Sequence, residues 1–179
     1  FDLSKYKTSK GSLKLSSKLV LLMDKFGKTR VVAIADWFSN VALTPLHNAF
    51  MVGLHRKRGD ITYKQDQIPS LVKGLGAKLF SSDMTAFTDR FPIELETAVI
   101  EGRYGTNIAR LWKQILTDRW FYHPNGPVQY KTGNPMGLIS SWPVSTFTHH
   151  AVKAYCAHKC GVYRYKYLIL GDDTLDTNE

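Results

Sequence analysis

The feature that most constrains this chain is the run Tyr167-Leu168-Ile169-Leu170-Gly171-Asp172-Asp173. Its apolar part reads as the end of a buried strand over Val162 to Leu170, and it feeds a glycine-opened turn that carries two adjacent carboxylates. Side by side at the rim of a buried strand, the two acids repel each other unless a cation sits between them. Taken alone, the run also fits an ordinary surface turn, since Gly-Asp is common there. Asp83 shifts the balance. It closes a second short apolar strand, Lys78 to Asp83, and Asp89 follows shortly after. Acids at the ends of adjacent strands can hold two divalent cations about 3.5 to 4 Å apart, and hard oxygen ligands point to Mg²⁺ or Mn²⁺. Such a pair suits in-line displacement at phosphorus.

The remaining elements alternate between helix and strand. A short apolar segment, Ser17 to Phe26, precedes a turn at Lys28 and a β-branched run, Arg30 to Ile34. Leu43, Leu46, Phe50 and Leu54 space out an amphipathic helix over 41–56, with Pro45 in its first turn and Gly59-Asp60 beyond its end. A loop over 84–91 leads to a helix opened by Pro92, whose early Glu94 and Glu96 suit the helix dipole. Ile108, Leu111, Trp112, Ile115 and Leu116 give the next helix its apolar stripe. Pro124-Asn125-Gly126-Pro127 predicts a turn between two strands. Gly133 and Gly137 bracket a loop that can approach a template backbone closely, and a helix capped by Ser140 or Ser141 runs to about Lys159. The order predicts a mixed α/β (α+β) fold with an antiparallel sheet flanked by helices.

Charge adds to the reading. There are 24 Lys and Arg against 15 Asp and Glu, a net charge of +9, which suits phosphate, nucleic acid or an anionic surface. Residues 1–30 hold eight of the cations, and a second cluster is Arg56-Lys57-Arg58 beside His55. Lys28 and Arg30 flank the turn-to-strand junction, where they can contact a triphosphate. No apolar run is long enough for a membrane span. Gly27-Lys28-Thr29 is not a phosphate-binding P-loop, because Leu22 stands where the first glycine is needed. Cys156, His158 and Cys160 do not share one helix face, which argues against zinc.

Together these motifs resemble those of viral RNA-dependent RNA polymerases. Ser82-Asp83-Met-Thr-Ala-Phe-Thr-Asp89-Arg90-Phe91-Pro92 resembles motif A. Gly133-Asn134-Pro135-Met136-Gly137 through Ser140-Ser141-Trp142-Pro143, with Thr148-His149-His150, resembles motif B. Gly171-Asp172-Asp173 resembles motif C, and Lys28 to Asp36 with Leu43 to His47 is similar to the segment that carries motif F. The set looks most like the mitovirus polymerases and covers nearly the whole chain.

The resemblance implies the fingers and palm of a right-hand polymerase. Residues 1–77 would be a basic, fingers-like region and residues 78–179 the palm. It implies template-directed transfer of nucleoside monophosphates from ribonucleoside triphosphates to an RNA 3′-hydroxyl, with an RNA template and a nascent RNA as partners and pyrophosphate released. Asp83, Asp172 and Asp173 would be the catalytic, metal-binding acids. Lys28 and Arg30 would hold the triphosphate, and Asp89 would sense the ribose 2′-hydroxyl. Ser141 and Ser145 would face the nucleotide, and Gly133 and Gly137 would shape the template loop. Residence would be mitochondrial, with the cytoplasm as the alternative. In the family a strand returns after the aspartate turn and a thumb follows. Thr174-Leu175-Asp176-Thr177 reads as a poor start to that strand, because Asp176 interrupts it. Loosely held aspartates would leave the isolated chain weak or inactive. An inactive remnant in a host genome and a basic RNA-binding protein are the alternatives.

Overall fold

In the computed structural model, residues 17–25, 27–76, 78–163 and 165–177 are described. The polypeptide enters through an antiparallel hairpin of β1 (Lys18–Met23) and β2 (Thr29–Ile34), registered from Lys18↔Ile34 to Met23↔Thr29. Ala33 of β2 is fully buried, and its N–H donates to the Met136 carbonyl at 2.7 Å.

Helix α1 (Trp37–Arg56) follows, capped by Asp36, whose carboxylate accepts from the Ser39 N–H at 2.8 Å. The helix begins earlier than the apolar spacing predicts, so Pro45 lies in its interior rather than its first turn. The Val41 carbonyl thereby loses its intrahelical partner, on a face where Val41 is exposed and water is at hand. Leu43, Phe50 and Leu54 form the buried side. A 3-10 turn, Gln65–Gln67, leads into α2 (Ile68–Leu75).

The second sheet begins with β3 (Phe80–Ser82). The segment expected as a loop contains a single helical turn, α3 (Phe87–Arg90), entered through Ala86 in the left-handed region (φ 52°). Helices α4 (Ile93–Tyr104) and α5 (Thr106–Thr117) form a hairpin hinged on Gly105. Ile93, Ile100, Ala109, Trp112 and Leu116 supply its share of the core. Ile108 and Leu111, expected in the buried stripe, are exposed. The predicted strand pair around Pro124 reduces to one bridge, Phe121↔Val128.

Helix α6 (Ser141–Lys159) runs through the middle of the molecule, against α1 and α4. Its Ser140 cap position makes no side-chain cap; the Ser140 hydroxyl accepts from the Trp112 indole N–H at 2.9 Å instead. The chain ends in β4 (Tyr167–Leu170) and β5 (Asp173–Asp176). Strand β4 is shorter than the Val162 to Leu170 run predicts. The returning strand forms, contrary to the expectation from Asp176, and lies at the centre of an antiparallel sheet ordered β3-β5-β4. Asp176 is accommodated because Lys153 of α6 donates to its buried carboxylate. No helix among the described residues is long and apolar enough to cross a membrane.

Candidate active site

The sheet brings three of the predicted acids to one end. Ser82 pairs with Thr174, so Asp83, the next residue, stands level with Asp173. Leu170 pairs with Asp173 and closes the tight turn that holds Asp172. Gly171 makes that turn with φ +63°, and a Cβ there would lie 3.0 Å from the Trp142 indole nitrogen, so glycine meets both a backbone and a packing demand. The Asp173 carboxyl is pushed above its usual range by burial, then by the negative charges of Asp172 and Asp83; the nearby Lys28 ammonium partly offsets this. Asp83, Asp172, Asp173 and Lys28 therefore share one electrostatic site. Among the described residues, no group of three or more His, Cys, Asp or Glu side chains is arranged as a ready metal cage. Arg30 lies on the same hairpin as Lys28 and reaches Asp24 at 3.7 Å.

Asp89 lies on α3, on its exposed side. Burial raises its carboxyl above the usual range, opposed by a hydrogen bond from the Tyr130 hydroxyl. The two loop glycines are required by the chain's own backbone. A Cβ on Gly133 would stand 2.2 Å from the Thr88 carbonyl oxygen, and one on Gly137 (φ +123°) 2.3 Å from that of Ala33. The loop is thus clamped between α3 and β2.

Ser141 and Ser145 are buried in a polar network that the sequence does not announce. The Asn134 amide donates to both Glu96 carboxylate oxygens at 2.8 Å and to the Ser145 hydroxyl at 2.9 Å. Ser145 donates to Glu96 Oε1 at 2.5 Å, Ser141 donates to Asn134 Oδ1, and the Asn134 backbone N–H reaches the Thr88 carbonyl at 2.8 Å. Glu96 is fully buried, and burial pushes its carboxyl up to about 7 against the pull of its Ser145 and Asn134 donors. Its position on the Ile93–Ile100 face of α4 was the available signal, because both isoleucines are core residues.

A second network supports the aspartate turn. His149 Nδ1–H donates to the Gly171 carbonyl at 2.9 Å, leaving Nε2 to accept from the Thr174 hydroxyl at 3.2 Å. His150 Nε2 lies 3.0 Å from Asp60 Oδ2, and its Nδ1 lies 3.0 Å from the Tyr167 hydroxyl. Asp60, which reads in sequence as a helix-ending loop residue, is buried.

The fold is similar to that of solved viral RNA polymerases. A solved sicinivirus 3Dpol RNA-dependent RNA polymerase superposes with a TM-score of 0.63 at 14% identity, over 90% of this chain and 40% of that one. The sequence profile of the mitovirus RNA-dependent RNA polymerase matches residues 1–179, and the chain belongs to that family. It is 32% identical over 165 residues to the RNA-directed RNA polymerase of Cryphonectria parasitica mitovirus 1, covering 89% of this chain and 20% of that protein. It is also 28% identical over 142 residues to an uncharacterized mitochondrial protein of Arabidopsis thaliana, covering 70% of this chain and 67% of that protein. The chain thus spans about a fifth of the viral polymerase it matches.

Proposed function

We propose that this chain carries the nucleotidyl-transfer centre of an RNA-directed RNA polymerase, with residues 1–77 in the fingers and 78–179 in the palm. The observation that carries the reading is the level placement of Asp83 and Asp173 beside Asp172, at a sheet end where the three charges act on one another. Such mutual repulsion is what a divalent cation relieves. Mg²⁺ usually keeps several waters and takes one or two carboxylates plus substrate phosphates, so a closed protein cage is not needed. Asp83, Asp172 and Asp173 would hold Mg²⁺, or Mn²⁺. Bound there, the cations would supply charge neutralisation at the transferring phosphoryl group and lower the pKa of the attacking 3′-hydroxyl.

The chain's own residues do the rest. Lys28, beside the acids, binds the triphosphate, and Arg30 exchanges Asp24 for it. Asp89, held by Tyr130, accepts from the ribose 2′-hydroxyl. Ser141 and Ser145 act from within the Glu96–Asn134 network, fixing the loop between Gly133 and Gly137 against which the template lies. An RNA template, a growing RNA and ribonucleoside triphosphates are the partners. A mitochondrial setting is supported by the relative named as a mitochondrial protein.

The test is primer extension on a short RNA template with Mg²⁺ and, separately, Mn²⁺, beside an Asp83→Asn, Asp172→Asn double variant. Extension that vanishes in the variant is expected. Equal extension by the variant would remove the aspartates from catalysis, and RNA binding with no extension by either protein would favour an RNA-binding remnant.

A further inference from the structure

The cluster Arg56-Lys57-Arg58 is not taken up by the polymerase site. It leads into a groove of about 560 Å³, within the roughly 300 to 1,000 Å³ range of ligand sites. The groove lies at the opposite end of β4 from the aspartate turn. Strand β4 separates the two by about 10 Å, at about 3.3 Å per residue.

Four cations line it: Lys57 and Arg58 just beyond α1, Lys64 before the 3-10 turn, and Lys166 before β4. No Asp or Glu is among its described lining residues. Three tyrosines join them. Tyr165 and Tyr167 stack with ring centroids 5.3 Å apart and planes at 19°, and Tyr163 is 78% exposed. The floor is built. The Lys166 ammonium donates to the Gly74 carbonyl at 2.9 Å, and a Cβ on Gly59 would meet the Tyr167 ring at 2.8 Å. The Tyr167 hydroxyl is anchored on His150, so its ring is not free to swing.

We infer that this groove is a second binding site for single-stranded RNA, separate from the aspartate end of the sheet, in which bases stack on the tyrosines and phosphates meet Lys57, Arg58 and Lys64. Cations interleaved with aromatic faces are the chemistry that tracks an unpaired strand without reading its sequence. An acidic protein segment would use the cations but leave the aromatic faces idle, and a concave groove does not match a planar membrane.

The experiment uses the whole chain and a fluorescein-labelled oligouridylate carrying 5-iodouridine. Photocross-links are expected on the peptide containing Tyr163 and Tyr165. By anisotropy, Arg58→Gln with Lys64→Gln should flatten the slope of log affinity against log salt by about 1.4, two phosphate contacts at roughly 0.7 each. Tyr163→Ala should weaken binding by about fivefold or more, the low end of one lost stacking contact. Arg103→Gln with Arg110→Gln removes the same charge from the exposed α4–α5 hairpin and should leave the salt slope nearly unchanged. The inference is overturned if cross-links fall only near Asp83 and Asp172, or if the two double variants behave alike. It is also overturned if Tyr163→Ala binds normally while polyglutamate competes as well as RNA. The readout is binding, so it stands apart from whether the chain polymerises.

Discussion

His149 Nδ1 donates to the carbonyl oxygen of Gly171 at 2.9 Å, which ties the central helix to the residue that opens the aspartate turn. Burial holds the His149 imidazole below its usual pKa, opposed by the Gly171 carbonyl, so the ring stays neutral and serves Gly171 with one nitrogen and Thr174 with the other. Because the folded-state value is depressed, the stability this residue contributes is present above about 6.5 and is lost as pH falls below it. His149→Ala should cost about 2 to 4 kcal/mol, from stranding a buried carbonyl and a buried hydroxyl. Urea unfolding of both proteins at pH 7.5 and pH 5.5 checks this. The gap between them should narrow at the lower pH.

Glu96 has the opposite sign. Its carboxyl rises from an ordinary 4.5 to about 7 on folding, so its favourable contribution is complete below 4.5 and is lost as pH rises through 7. Glu96→Gln removes that dependence. Relative to the parent, the variant should be less stable at pH 5 and recover by roughly 2 to 3 kcal/mol by pH 8, the part of the rise from 4.5 to about 7 that falls between those two pH values at 1.36 kcal/mol per pH unit. Denaturation midpoints across that range decide it. Parallel curves for the two proteins would mean that Glu96 does not titrate in the window.

Gly133→Ala forces a methyl group to within 2.2 Å of the Thr88 carbonyl oxygen, backbone against backbone. Either α3 or the loop must move, and a loss of about 2 to 4 kcal/mol is expected. Because Asp89 sits on the same turn, the Tyr130–Asp89 contact should loosen as well. Its signature would be a Tyr130 hydroxyl that titrates lower than in the parent, where burial comes first and the Asp89 charge second in holding it up.

Lys153→Met leaves the Asp176 carboxylate buried in the sheet without its ammonium partner. Since Lys153 keeps about a quarter of its side chain in solvent, the loss should be about 2 kcal/mol rather than the larger cost of a fully buried pair. Thermal unfolding followed by tyrosine absorbance tests it, and a variant as stable as the parent would mean that water takes over the role of Lys153.

The acid-bearing strand ends were legible because apolar runs closed by Asp83 and by Gly171-Asp172 carry their own punctuation. The helix around Leu43, Phe50 and Leu54 and the core role of Trp112 were legible from spacing. Three features were hidden. Strand β5 reads as too polar, since its Asp176 is made tolerable by a lysine on a distant helix. Glu96 reads as a dipole-favoured acid near a helix start, because its partners Asn134 and Ser145 lie far along the chain. Gly133 and Gly137 read as room for a template, whereas the neighbours that require them are Thr88 and Ala33. Local pattern identifies groups that carry their own signal; it does not identify groups whose partners come from elsewhere in the chain.

The central placement of β5 also dictates an order of events. Its pairing with β4 is local and can form early, whereas its pairing with β3 closes a loop of about ninety residues and is entropically expensive until the intervening helices have gathered. Asp172 and Asp173 can therefore meet each other in a nascent hairpin, but Asp83 joins them only when folding is nearly complete. Assembly of the charge cluster is then a late reporter of folding, and the chain carries its three acids together only once the rest of the structure is in place to bear their repulsion.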